Sequence, residues 1–417
     1  MKAYDSYKDS GIQWLPKIPS HWDSSKIKSH FRLRSTKVSD QDYPALSVSK
    51  NGVTTQLETA VKTDNGDNRK LVKAGDFVVN SRSDRKGSCG VSSLDGSVSL
   101  INIVLEPIDG CAQYYHHLFR SNDYIEEFYR NGRGIVSDLW TTRWNEMSSI
   151  MIPFPPIEEQ EKIVAYLDKQ ITLIESCKCQ RERELQTLDE LKRAEIASAV
   201  TRGLNPNVPM KDSGIPWIGQ IPAHWTMMRI KNLLEESKVK SIDGHEQSLS
   251  LSKSAGVIPF DEKENRTMQS ASLVGAKVVQ CGDVVFNRFK ARLFAISNYD
   301  GVVSPDYAVY KGKGRANLNY LVSLFGTEMY RAAFDRKASG IGDGFSRLYT
   351  ADLFSMYAIF PPIEEQNEIV KYIALKTNQI DSMIDALKAE IDRLTEYKQR
   401  LISDVVTGQM NVQDEIA

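Results

Sequence analysis

The sequence predicts an α+β protein assembled twice over: two mixed α/β domains separated by two long antiparallel helices that form a coiled coil, with an internal pseudo-two-fold repeat. Three observations predict it. Phe154-Pro155-Pro156-Ile157-Glu158-Glu159-Gln160 returns 206 positions later as Phe360-Pro361-Pro362-Ile363-Glu364-Glu365-Gln366. Residues 8–22, Lys8-Asp9-Ser10-Gly11-Ile12-Gln13-Trp14 through Ile18-Pro19-Ser20-His21-Trp22, return at 211–225 as Lys211-Asp212-Ser213-Gly214-Ile215-Pro216-Trp217 through Ile221-Pro222-Ala223-His224-Trp225. Behind each Pro-Pro pair runs a long segment whose apolar residues alternate in steps of three and four, which is the spacing of a coiled-coil seam.

Each Pro-Pro-Ile-Glu-Glu-Gln reads as a helix start. Proline suits the entry, where a missing N–H costs nothing, and paired carboxylates in the first turn meet the positive end of the helix dipole. In the second copy the seam is Ile373, Thr377, Ile380, Ile384, Leu387, Ile391, Leu394, Lys398, Leu401 and Val405, up to Gly408. In the first it is Leu167, Ile171, Ile174, Lys178, Arg181, Leu185, Leu188, Lys192, Glu195 and Ala199, ending near Gly203. The first seam is polar in its middle and end, so this helix is the weaker coiled-coil former and needs its partner. At 1.5 Å per residue, about 45 residues make a rod of roughly 67 Å. Chain closure then makes the rods antiparallel, since the second helix must run back toward the first domain.

Between the markers the two domains have diverged over a common skeleton. Leu46-Ser47-Val48-Ser49-Lys50 answers Leu249-Ser250-Leu251-Ser252-Lys253 as a strand, and Ala74-Gly75-Asp76-Phe77-Val78-Val79-Asn80 answers Cys281-Gly282-Asp283-Val284-Val285-Phe286-Asn287 as a turn and a buried strand. Residues 114–130 and 318–336 read as amphipathic helices rich in aromatics. The Pro- and Gly-rich stretches 8–22 and 211–225 read as irregular segments pinned by Trp14, Trp22, Trp217 and Trp225. The expected boundaries are a first domain at 1–153, a helix at 154–204, a second domain at 205–359, a helix at 360–410 and a tail at 411–417.

Composition excludes several classes. A hydrophobic fraction of 41% and a charged fraction of 26% are ordinary for a soluble globular protein. No apolar run reaches membrane-spanning length and Met1-Lys2-Ala3-Tyr4-Asp5 does not begin a signal peptide, so a cytoplasmic protein without membrane contact is expected. Five scattered cysteines do not make a disulfide framework, and Cys177 and Cys179, two apart on a helix, point apart and make no metal pair. Net charge is −1, so any polyanion-binding surface is local. Residues 226–359 hold 18 Lys and Arg against 14 Asp and Glu, and residues 23–152 hold 17 against 16.

No phosphate-binding Gly-x-x-x-x-Gly-Lys-Ser/Thr loop occurs. Phe154 and Phe360 stand where the Pro-Pro motif of amino-methyltransferases has an Asn or Asp that accepts from the target amine. Nothing suggests a bound S-adenosylmethionine or a nuclease centre, so neither a catalytic residue nor a metal site is expected. His21 and His224 recur, but no nucleophile or carboxylate recurs beside both in the sequence, and a packing or backbone-bonding role is expected. The loops after the matched buried strands differ between the copies while staying basic. Ser81, Arg82, Arg85 and Lys86 in the first, and Asn287, Arg288, Lys290 and Arg292 in the second, are the candidate DNA contacts, because Arg reads guanine edges through two N–H groups while Lys and Ser grip phosphate. For the coiled coil the candidates are Leu167, Ile171, Ile174, Leu185, Leu188, Ile380, Ile384, Leu387, Ile391 and Leu394.

Two copies of Asp-Ser-Gly-Ile-x-Trp…Ile-Pro-x-His-Trp, two of Pro-Pro-Ile-Glu-Glu-Gln before a long helix, and two diverged domains between them resemble the specificity subunit (HsdS) of type I restriction-modification systems, over essentially the whole chain. The resemblance implies that each diverged domain is a target recognition domain reading one half of a bipartite, asymmetric site in double-stranded DNA, and that the helices are spacers. It implies as partners two modification subunits, which bring S-adenosylmethionine and methylate adenine, and two restriction subunits, which bring ATP and Mg; this chain would carry no cofactor itself. Two alternatives stand beside it: a self-sufficient nuclease or methyltransferase, and a coiled-coil adaptor without sequence-specific DNA binding.

Overall fold

A computed structural model of the protein describes residues 2–56, 66–134, 140–252, 255–263, 272–289, 293–340 and 346–414. The chain forms two compact units, residues 1–182 with 388–417 and residues 183–387. The units part inside the two long helices, not at the helix ends where the sequence places its domain boundaries.

Both units are built on one four-stranded antiparallel sheet with the same strand order. In the first it runs Cys89–Val91, Phe77–Asn80, Asn102–Pro107, Phe31–Leu33. In the second it runs Phe294–Ile296, Val284–Asn287, Tyr307–Gly312, Leu234–Glu236. The central strands, Phe77-Val78-Val79 and Val284-Val285-Phe286, are continuously apolar because both their faces are covered. Phe77 and Leu105 join Phe31, Tyr115 and Phe119 on one face, while Val78 and Val104 join Val72 and Val98 on the other.

Two local expectations are corrected. The segments 114–130 and 318–336 are each two helices: Ala112–Leu118 and Asn122–Arg130, then Leu318–Phe325 and Glu328–Lys337. The breaks fall where Ser121 accepts the N–H of Tyr124 and Thr327 accepts that of Tyr330, the hydroxyl of each starting a new helix. The duplicated N-terminal stretches are also ordered hairpins, Tyr7–Ile12 with Leu15–Pro19 and Met210–Asp212 with Gln220–Pro222. Their alternation is hidden by a turn in which Asp9 and Asp212 each accept from the glycine two residues on, both at 2.9 Å, with Gly11 and Gly214 at φ +68° and +72°.

The two duplicated markers meet. Glu159 Oε2 lies 2.8 Å from His21 Nε2, and Glu365 Oε2 lies 2.8 Å from His224 Nε2. A carboxylate therefore does recur beside both histidines, delivered from a distant part of the chain. One residue on, Gln160 is fully buried: its Nε2 donates to the Pro155 carbonyl at 2.8 Å and its Oε1 accepts the Cys111 N–H at 2.8 Å. Gln366 repeats the arrangement with the Pro361 carbonyl at 2.9 Å and the Asn317 N–H at 2.8 Å. The foot of each long helix is thus bonded to the start of the helical layer over its sheet.

The long helices are Ile157–Arg202, 46 residues, and Ile363–Val406, 44 residues. Within each unit they pair antiparallel, and the polar positions of the first seam find partners on the second helix. In the first unit Lys398 Nζ donates to Glu175 at 2.7 Å and Arg181 lies 3.1 Å from Glu390. In the second, Lys192 Nζ donates to Asp381 at 2.7 Å and the Tyr372 hydroxyl donates to Glu195 at 2.8 Å. These exposed or half-exposed pairs contribute about 0–1 kcal/mol each, so their effect is on register more than on stability. Apolar packing comes from Leu167, Ile174, Ile380 and Ile384, which are buried, and from Ile171, Leu185, Leu188, Leu387, Ile391 and Leu394, which are half-buried. Each helix ends against the repeat that the other helix leaves: Tyr114 Oη donates to the Val406 carbonyl at 3.0 Å, and Tyr320 Oη to the Val200 carbonyl at 2.8 Å. Both bonds satisfy a last-turn carbonyl that has no partner within its own helix. Gly408, at φ +73°, then stops the second helix so tightly that a Cβ there would lie 2.4 Å from Pro19 Cδ.

Burial raises the proton affinity of Glu159, but hydrogen bonds from Tyr4, Gln413 and His21 outweigh it and hold the carboxyl below its ordinary value. A carboxyl depressed in the folded state stabilises it above the ordinary value, and that contribution is lost as pH falls through the folded-state value. Glu159→Gln should therefore lower the unfolding midpoint of the first unit at neutral pH. The gap between variant and wild type should narrow as pH drops below about 4.3. A gap that is constant in urea titrations from pH 7 to 3 would contradict this.

Candidate nucleic-acid interface

The candidate loops leave the sheet at the same point in both units. The strands Phe77–Asn80 and Val284–Asn287 end in asparagines whose Oδ1 atoms accept the N–H two residues on: Arg82 at 3.1 Å in one, Phe289 at 2.9 Å in the other. Asn287 is thus a turn-former, its side-chain oxygen occupied by its own backbone.

The first residue after each asparagine points inward, which corrects two of the expected contacts. Ser81 is buried; its hydroxyl donates to the Ile101 carbonyl at 2.6 Å and its carbonyl accepts the Thr142 N–H at 3.1 Å. Arg288 holds the matching place, its carbonyl accepting the Leu348 N–H at 2.9 Å. Its guanidinium donates to Glu236 and, at 3.2 Å, to Thr350 Oγ1, and only 11% of the side chain is exposed. The pair exists because strand position Leu33 of the first sheet is Glu236 in the second. A buried carboxylate needs cations, and Arg288 with Lys277, at 3.4 Å, supplies them. Burial pushes the Glu236 carboxyl up, but Thr350, Arg288 and Lys277 together hold it below its usual value.

Of the remaining candidates, Arg82 is exposed, and Arg85 is 65% exposed with its Nε 3.5 Å from Asp84. Lys86 is drawn back onto the protein, its Nζ 3.0 Å from Glu126 and 4.0 Å from the centre of the Tyr129 ring. Lys290 and Arg292 lie outside the described residues. A cation that the sequence reading passed over stands beside the second loop: Arg347, with its guanidinium 5.4 Å from the Phe289 ring and 5.5 Å from that of Tyr349. Its only signal in the sequence is an arginine among aromatics in Phe345-Ser346-Arg347-Leu348-Tyr349, which nothing in the first copy flags. Among the described residues no three His, Cys, Asp or Glu side chains are placed to hold a metal, and no helix is long and apolar enough to cross a membrane.

Arg288→Ala would leave Glu236 with Lys277 as its remaining cation, so it should destabilise the second unit by about 2–3 kcal/mol, the scale of breaking a largely buried pair. Arg82→Ala, at an exposed position, should change stability by no more than about 0.5 kcal/mol. Thermal melts of the two variants check this, and equal melting temperatures would contradict the inward role of Arg288.

A family model described as the type I restriction modification DNA specificity domain matches residues 19–187. The putative type I restriction enzyme MjaX specificity subunit of Methanocaldococcus jannaschii is 25% identical over 284 residues, covering 64% of this chain and 61% of that protein. The type I restriction enzyme EcoDI specificity subunit of Escherichia coli is 22% identical over 331 residues, covering 74% and 72%. The match thus spans about three fifths of the archaeal relative's length. Among solved structures, a chain from work on complex assembly and conformational transition of the type I R-M system superposes with a TM-score of 0.68 at 15% identity, covering 94% of this chain and 99% of its own. The HsdS subunit of Thermoanaerobacter tengcongensis superposes with a TM-score of 0.51 at 17% identity, covering 94% and 98%. These superpositions show the fold, and over residues 19–187 the chain is similar to the type I restriction-modification DNA specificity domain.

Proposed function

We propose that this chain is the non-catalytic DNA-recognition subunit of a type I restriction-modification complex, each repeat reading one half of a bipartite, asymmetric site in double-stranded DNA. The observation that carries this reading is a constant frame with changed contents. Asn80 and Asn287 close the same turn at the end of the same strand, yet the residue that follows the inward-facing position is Arg82 in one unit and Phe289 in the other. Two copies of one surface with different side chains suit two different half-sites.

The long helices set the number of unread base pairs between the half-sites and dock the modification subunits. Exposed apolar residues on the helices support a docking role: Leu173 is 57% exposed, Leu375 59% and Met383 56%. Two modification subunits would supply S-adenosylmethionine and methylate adenine, and two restriction subunits would supply ATP- and Mg-dependent translocation and cleavage. This chain holds none of those cofactors and works in the cytoplasm, where the DNA is.

Adenine-methylation sequencing of cells expressing this chain with its modification subunit, compared with cells lacking this chain, tests the reading. A two-part, non-palindromic motif should appear only when the chain is present; no new motif alongside an active modification subunit would refute it. Insertion of seven residues into the helix Ile157–Arg202 alone should change the spacer of that motif or abolish methylation. Unchanged methylation at the original spacing would refute the spacer role.

A further inference from the structure

The two units place an arginine on the same cross-strand pair, but on opposite strands of it. In the first unit Arg82 and Thr141 are antiparallel bridge partners, fixed by the neighbouring Thr142 N–H to Ser81 carbonyl bond at 3.1 Å. In the second, the matching bond runs from the Leu348 N–H to the Arg288 carbonyl at 2.9 Å. Stepping once from each bond, Phe289 takes the place of Arg82 and Arg347 takes that of Thr141. The arginine has moved across the pair, and an aromatic ring fills the place it left.

We propose that Arg347, not Arg288, is the side chain that reads a base edge in the second half-site. This rests on the DNA-recognition reading above. Three further observations support it. Arg288 and Lys277 already share Glu236, so the cluster holds more positive than negative charge, and Arg347 is close enough to act electrostatically on Lys277. Such a surplus of positive charge adds to the attraction for a polyanion. Secondly, Phe289 and Tyr349 steady the guanidinium through their rings, and rings take no hydrogen bond from the in-plane N–H fork. Thirdly, Arg347 Nε is buried and makes no hydrogen bond, so no acceptor of the protein holds that N–H. A flat guanidinium set over two rings matches the O6 and N7 acceptors of a guanine in the major groove.

The test uses the complex of this chain with its modification subunit and three labelled duplexes: the full site found by methylation sequencing, the same site with the second half scrambled, and the same site with the first half scrambled. Arg347→Ala should weaken binding to the full site by about 10- to 100-fold while leaving binding to the duplex scrambled in the second half unchanged. Arg347→Lys keeps the charge and the aliphatic stem but not the fork. It should melt like the wild type and lose most of the same discrimination, which separates reading from folding. Equal loss on all three duplexes would make Arg347 a phosphate contact and overturn the proposal, as would no loss on any. Should the wild-type complex itself fail to prefer the full site, the DNA-recognition reading would fall, and this inference with it.

Discussion

Each repeat depends on an amide buried at the foot of a long helix. Gln160 and Gln366 have no access to water, and each must find partners for both ends of its side chain. They find them in the Pro155 and Pro361 carbonyls on one side and the Cys111 and Asn317 N–H groups on the other. Because those partners belong to the helix entry and to the layer over the sheet, the amide fixes the direction in which each helix leaves its repeat. The carboxylates one residue earlier, Glu159 and Glu365, tie the same point to the N-terminal hairpins through His21 and His224. Short motifs that look like separate duplications are two halves of one joint.

A rigid joint frees the rest of the repeat to vary. The sheet order, the asparagine-closed turn and the hydroxyl-capped helix break are common to both units, while the side chains carried on them differ. The variation is not confined to exposed positions. Leu33 against Glu236 and Ser81 against Arg288 are coupled inside the protein, since a carboxylate introduced beneath the loop needs a cation to accompany it. The consequence is that Arg288 of the second loop is spent on folding.

The paired helices show the same economy. The seam is apolar along most of the second helix and polar in the middle and end of the first, and its charged members find complementary partners across the pair within each unit. Polar seam positions add little stability but penalise a slipped register, because a shift of one heptad would leave Arg181 and Lys192 facing the wrong partners.

The sequence alone determined the repeat, the fold class and the helices: a heptad pattern and two duplicated motifs survive in one dimension because they are periodic or identical. What only the tertiary structure decided was which way side chains face and what they meet. That Ser81 and Arg288 turn inward depends on the Ile101 carbonyl and on Glu236, 20 and 52 positions away. The carboxylate partners of His21 and His224 lie 138 and 141 positions off, and Arg347 stands beside Phe289 because the Leu348 N–H bonds to the Arg288 carbonyl. Local pattern carries the elements, and long-range pairing assigns their side chains, because an ion pair or a cross-strand neighbour leaves no periodic trace in the chain.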